Sequence, residues 1–138
     1  MLRFIFNFLP SAVWTALILL LTLLPGNFIP VPRGFWLLYS PDKLVHLGLF
    51  AVLGFLIMSG MVKQFPGISK RSYYATAMAA GLLVAVATEL LQALLPVGRD
   101  GNLYDGVADV AGIVAGCILF SLFSKKKRKK VHSREKIN

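Results

Sequence analysis

Apolar residues in this chain do not recur at the spacing of a half-buried surface element. They run almost unbroken through four stretches, separated by short clusters of proline, glycine and charge. The first covers about Phe4 to Leu24 and stops at Pro25-Gly26. The second begins at Lys43, behind an entry signal of Pro41 and Asp42, and ends near Val62. The third spans about Tyr73 to Leu95 and stops before Pro96, and the fourth runs from about Leu103 to Phe123, before Ser124 and a run of bases. About 20 helical residues cross a hydrocarbon core of about 30 Å, so each stretch has spanning length. Strands of a membrane barrel would instead alternate over about ten residues. The pattern predicts an all-α integral membrane protein, a four-transmembrane-helix bundle over residues 1–124, with a polybasic tail over 125–138 that reads as disordered.

Composition removes the soluble alternative. With 57% apolar residues in 138, the chain has too little polar surface to wrap a soluble core of this size. The first stretch is longer than the 7 to 15 residues of a signal-peptide core, and no small-x-small site follows Leu24, so it reads as a retained helix.

Charge then orients the bundle. Bases collect between Lys63 and Arg71 and between Lys125 and Lys136, whereas the other two loops hold only Arg33 and Arg99, besides Lys43 at a helix start. By the positive-inside rule both termini face the cytoplasm, and the loops 25–42 and 96–102 lie outside. The aromatic cluster from Phe35 to Tyr39 suits the headgroup level of the outer surface. The net charge of +9 is concentrated in the bases directly after the fourth stretch, where it fixes topology and meets anionic lipid. No aromatic platform or folded module accompanies it, which argues against nucleic acid as a partner. Cys117 is the single cysteine, which excludes an intrachain disulfide and leaves it a packing role.

Candidate chemistry lies at one end of the bundle. Only six acidic residues exist, and Glu89, Asp105 and Asp109 lie inside or at the edge of apolar segments, where insertion costs roughly 2.5 to 3.5 kcal/mol per charge. Asp105, Asp109, Gly112 and Gly116 follow at intervals of four, three and four, one stripe of a helix. Gly112-x-x-x-Gly116 is the spacing that lets backbones approach in lipid, so this stripe should face the bundle. Gly81, Ala85, Glu89 and Gln92 repeat the design on the third segment. Lys43 and His46 stand near the start of the second, whose Gly48, Ala51 and Gly54 form a separate small stripe expected to meet another neighbour. The helical rise puts Glu89 and Asp109 at a similar depth of about 9 Å and His46 at about 5 Å. With Arg99 folding back from its loop, these groups describe a shallow polar pocket at the outer face. Polar groups confined to one face give no path for transport.

These residues resemble a known family. Asp42-Lys43-Leu44-Val45-His46, Glu89-Leu90-Leu91-Gln92 with Arg99 seven positions on, and Asp105-x-x-x-Asp109-x-x-Gly112-x-x-x-Gly116 together look like the VanZ-like family of small bacterial membrane proteins. The likeness covers about Asp42 to Gly116. One departure is Asp109, where the family pattern commonly has Asn, which adds a carboxyl group. The resemblance implies a place in the cell envelope, since the namesake is associated with resistance to the glycopeptide teicoplanin. It does not specify an enzyme.

Two readings stay open. In one, Lys43 and Arg99 hold anionic oxygens of a lipid-linked phosphate, His46 acts as acid or base, and Glu89 or Asp105 orients it or activates water, making the protein a hydrolase or transferase. His46, Glu89, Asp105 and Asp109 could offer a divalent metal hard ligands, although no metal motif has this spacing, and a metal is not favoured. In the other, favoured reading the set binds an envelope component without chemistry. Arg99 caps Glu89 and Asp105, Lys43 pairs with Asp109, and Gln92 and His46 satisfy what remains. Small-residue stripes suit either a monomer or a homodimer.

Overall fold

The computed structural model describes residues 1–22, 41–95 and 103–135, with 41, 42, 103 and 126–135 described by backbone alone. Every regular element among these residues is helical: α1 (Leu2–Thr22), α2 (Pro41–Gln64), α3 (Lys70–Leu94) and α4 (Leu103–Glu135). All four are long and apolar enough to cross a membrane. The aromatic cluster from Phe35 to Tyr39 and Arg99 lie outside the described residues.

Local chemistry sets the ends that are described. Gly67 takes a left-handed φ of 99°, closing the turn after α2 where a side chain would be strained. Ser69 then caps α3, its Oγ accepting the backbone N–H of Ser72 at 3.1 Å. Tyr73 donates its hydroxyl to the Phe65 carbonyl at 2.6 Å, tying the start of α3 back to the end of α2. The backbone of α4 continues as helix well past Ser124, to Glu135, where the sequence reading ended the span and expected a disordered tail. The reason is intrinsic: no Gly or Pro follows Gly116, Lys and Arg are good helix formers, and cations near a helix C-terminus complement its dipole.

Side-chain contacts define the topology. Asn7 meets Gln64 and Trp14 meets Leu49, so α1 and α2 run antiparallel. Tyr74 meets Ser121 while Gly81 meets Ile113, so α3 and α4 do too. Along α2 and α4 the partners rise together, Lys43 with Asp105, His46 with Asp109, Leu47 with Gly112 and Phe55 with Gly116, so these two run parallel. They also make the most extensive helix contact among the described residues, with α1 and α3 flanking them.

Small residues make that contact. A Cβ on Gly112 would stand 2.5 Å from the Leu47 carbonyl oxygen, one on Gly54 2.6 Å from that of Ile113, and one on Gly116 would collide with the Ala51 carbonyl. The stripe on α4 therefore faces inward, as its spacing predicts. The stripe on α2 differs from expectation: Ala51 and Gly54 pack on α4 itself, so the two stripes are halves of one seam, while Gly48 is exposed with nothing near it. Phe50, Leu53, Ile57, Ile113 and Cys117 fill the core around this seam, and Ile18 closes it from the α1 side.

Candidate functional site: a buried ionic layer at the paired N-termini of α2 and α4

Because α2 and α4 are parallel, their first turns arrive at the same end of the bundle. The step of three from Lys43 to His46 then runs beside the step of four from Asp105 to Asp109, and two cross-helix pairs form in register. His46 Nδ1 lies 2.9 Å from Asp109 Oδ1, and these residues are 1% and 0% exposed. One turn closer to the helix ends, Lys43 Nζ lies 3.5 Å from Asp105 Oδ1, with about a third of the lysine side chain still open to solvent. The Lys43 ammonium also sits 5.9 Å from the centre of the Tyr104 ring, within cation–π range.

The expected pairing had set Lys43 against Asp109 and a carboxylate of Glu89 or Asp105 against His46; the structure sets Lys43 beside Asp105 and His46 beside Asp109. The physical reason is registry. Two parallel helices advancing at the same rise match first turn with first turn and second with second.

The third helix contributes differently. Gln92 is buried, but its Nε2 donates to the Thr22 carbonyl of α1 at 2.8 Å. It thus ties α3 to the main chain of α1. Glu89 lies one turn before Gln92 on α3, half-buried, with its Oε1 shut off from solvent. Thr88 is completely buried and returns its hydroxyl to the Ala85 carbonyl at 2.7 Å. Among the described residues, no three His, Cys, Asp or Glu side chains converge as a metal ligand set.

Sequence reasoning overlooked several polar contacts. Trp14 donates its indole N–H to the Leu49 carbonyl at 2.8 Å, and Asn7 donates to Gln64 at 2.8 Å near the opposite end of the bundle. A signal for both existed, since an indole N–H or an amide in an apolar span requires an acceptor from a neighbouring helix.

Chemically, the innermost pair is a carboxylate and an imidazole held edge to edge. With Asp109 ionised, the shared proton sits on His46 Nδ1, which fixes the ring's tautomer and orientation. Lys43, with about a third of its side chain open, is the most exposed of these four side chains. Set against family models, curated proteins and solved structures, the chain matches none.

Proposed function

We propose that this is a VanZ-like protein of the bacterial inner membrane, with both termini cytoplasmic and its ionic layer turned outward to bind an anionic envelope component such as a lipid-linked precursor. The observation that carries the reading is the stacked arrangement itself, a partly exposed Lys43 on a buried Asp105, one turn from a fully buried His46–Asp109 pair. Buried charges in a membrane bundle are costly and mark functional positions more often than not. Lys43 is placed to exchange Asp105 for an anionic oxygen of a ligand, and Arg99, carried by the loop that precedes α4, is the second cation of the same motif. A role in glycopeptide tolerance, teicoplanin above all, follows from the same family likeness. The positive-inside rule supports the orientation.

One observation favours a second reading, a membrane hydrolase or transferase acting on a lipid-linked phosphate. The carboxylate–imidazole contact of 2.9 Å is the arrangement that general-base chemistry uses.

The deciding experiment incubates purified protein with envelope lipid extract and follows lipids by mass spectrometry, for wild type, Lys43→Ala and His46→Ala, with and without divalent metal. Retention of one lipid class that Lys43→Ala loses is the expected result. A new product formed by wild type and not by His46→Ala would establish the enzyme reading, and no lipid retained or changed would sink both. Orientation is checked separately. A cysteine placed at Gly101 should label with an impermeant thiol reagent in intact cells and one at Gly67 should not.

A further inference from the structure

At the other end of the bundle, roughly 24 Å from the ionic layer by helical rise along α2, lies a cavity of about 430 Å³ between α2, α3 and α4. Its size falls in the range of small-ligand sites, about 300 to 1,000 Å³. The walls are Met58, Val62, Tyr74 and Phe120, and Lys70 and Lys125, both exposed, stand on the rim. The hydroxyls of the two tyrosines there are already engaged, Tyr73 with the Phe65 carbonyl and Tyr74 with Ser121. The cavity therefore offers an apolar wall with a cationic edge.

The charge of that edge has no answer in the sequence. No acidic residue occurs between Asp42 and Glu89, or between Asp109 and Glu135, so the segments of α2, α3 and α4 that line the cavity carry no anion. Lys63, Lys70, Arg71 and Lys125 all belong to those segments. Lys70 and Arg71 moreover occupy the first turn of α3, where the helix dipole is positive and no acidic residue is present. Cations on a positive helix end repel their own scaffold unless an anion joins them. The groove accepts a hydrocarbon chain and its rim demands a negative headgroup.

We infer that this groove binds one anionic phospholipid of the surrounding bilayer, its acyl chain along Met58, Val62, Tyr74 and Phe120 and its phosphate between Lys70 and Lys125. The occupant is a whole lipid, because the apolar wall and the cationic rim are contiguous and each answers a different half of that molecule. The site shares no residue with the ionic layer, so it stands or falls independently of the function proposed there.

Native mass spectrometry of the full chain, released from micelles holding equal phosphatidylglycerol and phosphatidylcholine, tests it. Wild type should retain one phosphatidylglycerol in preference to phosphatidylcholine by about tenfold or more, the attraction expected of two cations at a membrane surface. Lys70→Glu with Lys125→Glu should erase that preference, and the milder pair Lys70→Gln with Lys125→Gln should reduce it. Val62→Trp, which fills the wall and leaves the rim intact, should lower retention of both lipids. Lys127→Glu with Lys129→Glu, further along α4, should leave the preference unchanged. Equal retention of the two lipids by wild type would overturn the proposal, as would a preference that survives the rim reversal or disappears with the tail reversal. Displacement of the lipid by glycerol phosphate alone would also overturn it, since the headgroup would then suffice.

Discussion

The membrane-length stretches of α1 and α2 are equally apolar, yet 50% of that of α2 is buried in the bundle and only 11% of that of α1. Hydrophobicity thus says nothing about which helix is central. In lipid it cannot, because acyl chains are as apolar as leucine and no hydrophobic force drives one helix onto another. What separates the two is side-chain size and polar groups. α2 carries Ala51 and Gly54 opposite Gly112 and Gly116 of α4, and it begins in the ionic layer, whereas α1 contains no glycine at all. Helix α1 is held by polar ties, Asn7 to Gln64, Trp14 to Leu49 and Thr22 to Gln92, and by one close approach of Gly60 to Asn7 and Phe8, and it leaves Phe4, Phe6, Val13 and Leu20 on its exterior.

The comparison breaks most directly at the glycine seam. Gly116→Leu should prevent stable assembly in detergent, a loss beyond the roughly 1 to 3 kcal/mol usual for overpacking, because the obstacle is the Ala51 backbone and not a movable side chain. Gly112→Leu should act in the same direction, and wild-type thermal stability in both variants would place the seam elsewhere.

Next comes the buried pair. His46→Ala leaves the Asp109 carboxylate without its imidazole and should cost about 3 kcal/mol, while the double change His46→Ala with Asp109→Ala should recover part of it. Thermal unfolding of the full cycle measures the coupling, and strictly additive losses would deny that the two groups interact. Asp109→Asn, which restores the residue common in the VanZ-like pattern, keeps an acceptor for Nδ1 and should cost about 1 kcal/mol.

On the α1 side, Trp14→Phe removes a single interhelical hydrogen bond and should cost only about 0.6 to 1 kcal/mol in the same assay. A loss as large as that of His46→Ala would mean that α1 is as integral as α2. The smallest effect belongs to Gly48→Ala, where nothing lies within 4 Å of the new methyl group and the gain in helix propensity should leave stability unchanged or raised by up to about 1 kcal/mol. Gly48 and Gly112 face each other in no contact, and their opposite responses would separate propensity from packing.

Much of this was legible in advance, and the failures are informative. The four spans and the inward stripes of α3 and α4 follow from local spacing, and Gly81, Ala85, Gln92, Asp105, Asp109, Gly112 and Gly116 are all buried. Which carboxylate meets which cation was not legible, because Lys43 and His46 are each three or four residues from a plausible alternative and only the relative rise of α2 and α4 chooses. Gln92 was grouped with the ionic residues by its place near Glu89, yet its partner is a main-chain carbonyl of α1, a group that every residue carries and that no motif marks.

By itself, then, the sequence determined most of what depends on one helix at a time, though not where α4 ends. It set the number and length of the spans from the thickness of a bilayer, the face each stripe occupies from the helical repeat, and the collection of ionisable groups at one end from their position within the spans. The tertiary structure alone decided that α2 and α4 form the central pair, that their small stripes are one seam, and that His46 belongs to Asp109 and Lys43 to Asp105. Those outcomes depend on how two helices slide and turn against each other. That relation is set by the steric fit of glycine against a neighbour's carbonyl, and a one-dimensional pattern carries each half of the fit without saying which half it meets.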